Sequence, residues 1–177
     1  MFGDLRRDAM RYVGLGGWHR NLGFWIGASY RFGTWARGLP RPLPRLAMLA
    51  LHRVVSVGWH HFFNVHIYAA RVGPGLCLIH PRNILIGEGV EIGEDCLIYH
   101  EVTIGTGPVP GYPRLGDKVD VYVGARVLGG VAVGNRSLVG PNCVVSKNVP
   151  ADTLVAQVPS RIMPRSMVAP SRRAPPP

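Results

Sequence analysis

The chain has 177 residues, with 20 basic side chains against 10 acidic ones and a formal net charge of +10 at neutral pH. That length allows one compact domain with an appendage. Three cysteines, an odd number, argue against a disulfide framework and favour a reducing compartment. Basic chains often bind nucleic acid, but here the arginines are scattered among tryptophan, leucine and proline, without a recognised nucleic-acid motif. We therefore expect no nucleic-acid partner.

The positive charge is concentrated at the two ends. Residues 1–63 carry nine arginines and two aspartates, and residues 64–163 carry eight basic and eight acidic side chains. Residues 164–177 add three arginines to a proline-rich tail, which we predict to be disordered. The N-terminus lacks the continuous apolar stretch of a signal peptide, so we predict a cytoplasmic protein.

Three helices are predicted in an N-terminal helical region, residues 1–63. Residues 4–13 form a short first helix, and residues 18–37 form a second that contains several glycines. Prolines in residues 39–44 predict an extended linker. Residues 45–63 then form a third, strongly apolar helix.

The third helix is a poor candidate for a bilayer span, because His52 and Arg53 interrupt its apolar stretch. Flanking arginines and tryptophans would suit peripheral contact with a membrane surface. Packing on the end of the following domain or on a neighbouring subunit is the interpretation we favour.

From residue 84 the dominant pattern has a period of six, which matches neither an amphipathic helix nor an alternating strand. It predicts a mainly β protein: a parallel β-helix over residues 64–163, built from hexapeptide repeats with aliphatic residues stacked inside and glycines at the corners. A β-sandwich would need hairpin turns, and residues 84–150 contain no Asn-Gly or Asp-Gly dipeptide. The repeated aliphatic residues are Ile86, Ile92, Ile98, Ile104, Leu115, Val121, Val127, Val133, Val139 and Val145.

Two breaks in this register are candidate functional loops. The step from Leu78 to Ile86 is eight residues and contains His80, and the step from Ile104 to Leu115 is eleven. Loops that leave a regular scaffold commonly carry function. At about eighteen residues per coil, the two breaks leave the solenoid roughly one coil apart and could border one groove.

Four stretches resemble one known family, the serine acetyltransferases and related hexapeptide-repeat acyltransferases. The resemblance covers about residues 69–162, and it implies a left-handed β-helix assembled as a homotrimer, with acetyl-CoA bound between neighbouring subunits. The N-terminal helices are similar to the shortened helical region of relatives found with exopolysaccharide genes, and they could pair two trimers. The matching stretches are residues 71–76, 84–88, 102–107 and 125–129.

The resemblance implies that His80 is the general base, which removes the proton from the acceptor hydroxyl as that oxygen attacks the thioester. An imidazole suits this role near neutral pH. The family's orienting aspartates are replaced by Val65 and Ile79. Glu101 is our candidate orienting residue for His80, with His100 beside it and His66 a weaker choice.

The resemblance also indicates residues for the acetyl-CoA arm and phosphates. We expect the loop that contains Gly107 to lie outside the coil stack, so that Gly107→Trp would weaken cofactor binding without unfolding the solenoid. We expect no metal, because the zinc site known in this fold needs three histidines and the repeats offer only His80 and His100. The predicted acetyl-CoA contacts are Gly105, Thr106, Gly107, Gly124, Ala125, Lys147 and Arg161.

Together these features predict an acetyl-CoA-dependent O-acetyltransferase of the serine acetyltransferase type. Gly111 and Tyr112 replace an Arg-His pair that helps to hold serine in the family, so the clamp for an amino acid is largely missing. Acetylation of a sugar hydroxyl on a surface polysaccharide or its precursor is therefore one alternative. A metal-dependent or non-catalytic hexapeptide-repeat protein is the other.

Overall fold

The structure is a computed structural model, and it describes residues 2–157. Arg161 and the tail of residues 164–177 lie outside the described residues. The helices are α1 (Phe2–Met10), α2 (Leu22–Arg37) and α3 (Pro42–Phe63), with two short 3-10 turns, Val13–Leu15 and Trp18–Arg20, between α1 and α2. The strands are β1 Val65–Ile67, β2 Arg71–Val72, β3 Cys77–Leu78, β4 Ile84–Ile86, β5 Glu91–Ile92, β6 Leu97–Ile98, β7 Thr103–Gly105, β8 Arg114–Leu115, β9 Asp120–Val121, β10 Arg126–Leu128, β11 Ala132–Val133, β12 Leu138–Val139, β13 Val144–Val145 and β14 Leu154–Val155.

The strands form three parallel sheets, because each strand pairs with the strand one coil before and one coil after it. The orders are β1-β4-β7-β10-β13, β2-β5-β8-β11 and β3-β6-β9-β12-β14. This arrangement is a three-sided solenoid preceded by a helical region. It confirms the predicted left-handed parallel β-helix.

The six-residue period marks the interior of the solenoid. Ile86, Ile92, Ile98 and Ile104 are at most 1% exposed, and each stacks on its equivalents in neighbouring coils. Small residues such as Cys96, fully buried, fill the space between these aliphatic columns. Strands of two or three residues can persist because this stacking, repeated coil after coil, removes apolar surface from water.

Glycine does not occupy most of the left-handed backbone positions at the corners, contrary to the expectation from the sequence. Most left-handed backbone positions are held by polar residues, for example Asp95 (φ 56°) and Asn142 (φ 56°). Glycine is needed instead where consecutive coils touch: a Cβ on Gly73 would lie 2.5 Å from the carbonyl oxygen of Gly93. Side chains are therefore excluded there by close packing between coils.

Helix α2 lies directly on β3, the last strand of the first coil. A Cβ on Gly23 would come 2.1 Å from the carbonyl oxygen of Leu78, so only glycine allows this approach. The Tyr12 hydroxyl accepts a hydrogen bond from the Leu78 N–H at 2.8 Å. The end of β3, which leads into the first register break, is thus fixed by the helical region.

Helix α3 begins earlier than predicted, and residues 42–44 are not part of an extended linker. Pro42 and Pro44 lie in the first turn of the helix, where backbone N–H groups have no intrahelical acceptor and the fixed φ of proline is favourable. Trp59 and Phe63 near its C-terminal end pack against the core of the solenoid. Within residues 2–157, no helix is long and apolar enough to cross a membrane.

Candidate active site

His80 lies in a corner of the first coil that is longer than its counterparts. Leu78 pairs with Ile98, and Leu85 pairs with Thr103. Six residues lie between Leu78 and Leu85, but only four lie between their partners in the next coil. This corner therefore contains two extra residues, as the register break indicated. His80 is exposed and has a left-handed backbone, φ 48°. The same left-handed conformation recurs at other corners of the solenoid, so the two inserted residues are the feature specific to the His80 corner.

The ring nearest to His80 is that of His100, at the equivalent corner of the next coil. The two ring centroids are 6.3 Å apart, with the rings edge to face. His100 Nδ1 is buried without a hydrogen-bond partner within the described structure. A buried polar atom without a partner is costly, so it marks a place where a small shift or a bound group would be favourable.

A cavity of about 290 Å³ opens beside His80 and includes residues from the helical region. Arg20 and Asn21, just before α2, line it together with Phe63 at the end of α3. The guanidinium carbon of Arg82 lies 5.5 Å from the centre of the Phe63 ring, a cation–π contact that fixes one wall. The sequence did not indicate Arg20 or Asn21, since only the fold brings them to this corner.

Glu101 lies at the edge of a second cavity, of about 450 Å³, on the other side of the same corner. Asn64, His66 and Asn83 also line it. The Glu101 backbone N–H donates to the Arg82 carbonyl at 2.8 Å, which ties the corner to the next coil. Arg82 lines the His80 cavity and the next residue, Asn83, lines the Glu101 cavity, so the inserted corner borders both.

Neutral hydrogen-bonding groups dominate one side of the Glu101 cavity. The Asn64 amide nitrogen donates to Asn83 Oδ1 at 3.2 Å, and Asn64 Oδ1 lies 3.1 Å from His66 Nε2. The His66 and His60 rings are stacked, with centroids 4.6 Å apart. Burial first, and then the neighbouring His66, lowers the pKa of His60. This side of the cavity therefore presents amide and imidazole groups, while Glu101 and Arg126 supply its charges.

The long loop after β7 folds back on the next coil, contrary to the expectation that it lies outside the coil stack. A Cβ on Gly107 would be 2.7 Å from Leu128 Cβ and 2.9 Å from the Gly129 nitrogen. The Gly129 N–H donates to the Gly105 carbonyl at 2.8 Å. A tryptophan at position 107 would disturb the solenoid, so Gly107→Trp cannot separate binding from folding. Gly105 has open space around its Cβ position, and Thr106 is exposed.

The other predicted cofactor residues lie in different environments. Gly124 sits at a corner with φ 70°, and a Cβ there would be 2.1 Å from Asn142 Oδ1. The Ala125 side chain is fully buried in the solenoid core. Lys147 is exposed near the last coil.

Tyr112 occupies the position where the resemblance would place a histidine of the serine clamp. Its ring packs over Gly89, where an added Cβ would lie 2.4 Å from Tyr112 Cδ2. Gly111 and Tyr112 line a cavity of about 420 Å³ whose guanidinium comes from Arg114 and not from the clamp position. Elsewhere in residues 2–157, no group of three histidine, cysteine, aspartate or glutamate side chains is placed to hold a metal ion.

Comparisons with known proteins agree with this architecture. No protein-family profile matches the chain. The serine acetyltransferase of Mycobacterium tuberculosis is 34% identical over 156 residues, which cover 86% of this chain and 61% of the relative. That of Synechococcus elongatus is 40% identical over 102 residues, covering 56% of this chain and 42% of the relative. The crystal structure of Brucella abortus serine acetyltransferase in complex with coenzyme A is 27% identical with a TM-score of 0.68, covering 91% of this chain and 66% of that one.

The solenoid, its inserted histidine corner and these similarities define a hexapeptide-repeat acyltransferase fold with a short helical region. Within that class, the chain is similar to the serine acetyltransferases. The chain spans about two fifths to two thirds of the length of the relatives named above.

Proposed function

We propose that the chain is an acetyl-CoA-dependent O-acetyltransferase of the serine acetyltransferase type, with His80 as the general base. The observation that carries this proposal is the placement of His80: exposed, at a left-handed position, in a corner with two extra residues, beside a cavity. The sequence similarity to serine acetyltransferases and the coenzyme A complex of the Brucella relative support the choice of co-substrate.

In this mechanism His80 accepts the proton of the acceptor hydroxyl while the hydroxyl oxygen attacks the acetyl carbonyl carbon. The new C–O bond forms, the C–S bond breaks, and His80 returns the proton to the departing thiolate. A neutral alcohol is a weak nucleophile, so proton removal in the transition state is the main chemical contribution of the protein. Backbone N–H groups of the loop that begins at Gly105 would stabilise the oxyanion.

His80 needs an orienting partner, and two candidates remain. His100 is the ring neighbour of His80 and has an unpartnered Nδ1, which favours it on geometry. Glu101 would supply the negative charge that stabilises an imidazolium, but it borders the neighbouring cavity. We keep Glu101 as the predicted charged partner, reached through a rotated side chain or a water molecule.

The residues proposed for acetyl-CoA fit an extended arm that ends in phosphates. Thr106 is exposed, and Gly105, although buried, has open space at its Cβ position. Gly107, Gly124 and Ala125 keep the neighbouring surface flat, and Ala125 would act only by its small size, because its side chain is buried. Lys147 and Arg161 would pair with the phosphates. We propose a homotrimer, in which a neighbouring subunit covers each arm.

A sugar hydroxyl is the second candidate acceptor, and a specific observation favours it. The corner cavity presents Asn64, Asn83 and His66, which bind hydroxyl groups well, whereas Gly111 and Tyr112 do not supply the guanidinium that the family's clamp offers to serine at that position. A polysaccharide or its precursor would then be the substrate.

The deciding experiment is an acceptor panel assayed for release of coenzyme A from acetyl-CoA. Serine, homoserine and several free and nucleotide-linked sugars are compared at equal concentration. Turnover with serine above that with every sugar supports the serine acetyltransferase type, and the reverse order supports the alternative. No transfer to any hydroxyl, with acetyl-CoA still bound, would contradict the proposed activity.

A further inference from the structure

Helix α3 presents a wide apolar face to solvent. Its inner side is occupied, since Trp59 and Phe63 pack on the solenoid core and Ser56 is buried. Consecutive outer side chains are three or five residues apart, and at 3.6 residues per turn all of them fall within about 160° of the helix circumference. These side chains, called here the α3 outer face, are Leu43 (79% exposed), Leu46 (64%), Leu51 (50%), Val54 (73%), Val57 (47%) and Phe62 (79%). An apolar surface of this extent marks an interaction site.

We infer that the α3 outer face docks on an anionic lipid bilayer. The surrounding charge supports this choice of partner. The sequence contains nine arginines and no acidic residue between Asp8 and Glu88. Arg41, Arg45 and Arg53, which precede or belong to α3, are exposed and form no ion pair with another described residue. Arg53 lies beside the α3 outer face, and Arg41 and Arg45 lie at the exposed N-terminal end of the helix, where their charges complement the negative headgroups above a hydrocarbon phase.

A second copy of this chain fits the same face less well. A two-fold contact through α3 buries the same surface of both copies, so it would bring the arginines of both helices, Arg41, Arg45 and Arg53, into one interface. The helix carries no aspartate or glutamate to pair with them. Like charges brought together in this way oppose association, whereas an anionic bilayer supplies both the apolar phase and the opposite charge.

The packing of α3 determines how it would meet the membrane. Because its inner side is held by the solenoid, only its outer half can enter a lipid phase, and the helix must lie parallel to the surface. Its 22 residues correspond to about 33 Å of helix, enough for a broad line of contact. Docking would hold the β-helix by its N-terminal end.

Vesicle flotation with the full chain tests the inference. We compare vesicles of phosphatidylcholine alone with vesicles that also contain about 30% phosphatidylglycerol. We expect at least about tenfold more protein to float with the anionic vesicles, and added salt to reduce that fraction, because the arginine contribution is screened. Equal or absent binding to the two vesicle types would overturn the inference.

Two sets of variants locate the surface. Leu46→Gln with Val54→Gln should lower binding to anionic vesicles by about tenfold or more. The matched control, Val144→Gln with Leu154→Gln, changes two solenoid side chains that are 59% and 63% exposed and should leave binding unchanged. Equal losses in the two double variants would contradict the assignment of the surface.

A third variant tests the inference even if the leucine and valine variant misfolds. Light scattering tests whether a second copy of the chain binds the α3 outer face. Replacing Arg41, Arg45 and Arg53 by glutamine changes only exposed side chains and should selectively reduce binding to anionic vesicles. The molar mass of each variant is measured without lipid. If the wild type does not bind vesicles, and Leu46→Gln with Val54→Gln lowers the molar mass of the assembly, the α3 outer face binds a second copy and the inference is wrong.

Discussion

The Asp8 carboxylate and the Arg31 guanidinium form a buried ion pair that joins helices α1 and α2 to the first coil. Their side chains are 3% and 6% exposed, and Arg31 Nη2 donates to Asp8 Oδ1 at 2.9 Å. Asp8 Oδ1 also accepts from the N–H groups of Gly75 and Leu76, while Arg31 donates to the carbonyl of Gly73 at 2.8 Å. Each charge is thus paired and hydrogen-bonded, which is what makes burial of both tolerable.

Removing one member of this pair should be strongly destabilising. Asp8→Ala leaves a buried guanidinium without its counter-charge, and we expect it to lower the free energy of unfolding by about 3–5 kcal/mol. Urea unfolding followed by circular dichroism measures this change. The control is Asp152→Asn, which breaks an exposed pair with Arg136 and should have almost no effect. A similar small effect for Asp8→Ala would show that the buried pair does not anchor the helices.

His80→Ala should lower turnover by about 10² to 10⁴ while acetyl-CoA affinity stays within a few-fold. Stability should barely change, because His80 is exposed and lies outside the aliphatic columns. The wild-type rate should fall on the acid side as the imidazole protonates, and that fall should be absent in the variant. Steady-state kinetics across pH, with calorimetry for the cofactor, make the measurement.

His100→Ala is the matched comparison for His80→Ala, since the two rings are neighbours. An orienting role predicts lower kcat with little change in KM for the acceptor. Nearly full activity of His80→Ala on the best acceptor would contradict the catalytic assignment, and His100 would become the candidate base.

Two glycines of one loop should respond differently to added side chains. Gly107→Ala places a Cβ 2.7 Å from Leu128 Cβ, so we expect a loss of about 1–3 kcal/mol in unfolding free energy. Gly105 has open space at its Cβ position, so Gly105→Leu should fold normally but raise the Kd for acetyl-CoA about tenfold or more. Calorimetry and thermal melting distinguish the two. An unchanged Kd for Gly105→Leu would remove this loop from the cofactor site.

The ion pair between Arg7 and Asp95 predicts a pH dependence of stability. The hydrogen bond from Arg7 lowers the pKa of Asp95, so the folded state favours the carboxylate. A lowered folded-state pKa gives stability that is present above the ordinary aspartate pKa of about 3.9 and is lost as pH falls through the folded value. The difference in unfolding free energy between wild type and Arg7→Gln should therefore shrink from pH 6 to pH 3. A constant difference would contradict the linkage.

Assembly is testable by light scattering on the purified chain. A trimer, or a hexamer formed from two trimers, should appear as three or six chains of 19.3 kDa. A single solenoid leaves one side of a bound acetyl-CoA arm uncovered, which is the reason to expect neighbours. A monomer at the concentration used for assay would count against the proposed site.

The sequence predicted those features of the fold that depend on local repetition. Ile86 and Ile92 are interior because the period of six brings them to the same face in successive turns, and the extra residues around His80 were visible as a change in that period. Arg20 could not be assigned to the His80 cavity, because its position depends on α2 packing against β3. Pro42 was misassigned to a linker, since the same residue favours both an extended segment and the first turn of a helix.

The helical region also has a consequence for growth of the solenoid. The first coil of a parallel β-helix has an open edge, whose free N–H and C=O groups can pair with a strand of another molecule. Here the Tyr30 hydroxyl donates to the Ala69 carbonyl, the Tyr12 hydroxyl accepts from the Leu78 N–H, and Asp8 accepts from Gly75. Side chains of the helices thus take the places that a further coil would occupy. These contacts block end-to-end polymerisation of the solenoid through this edge.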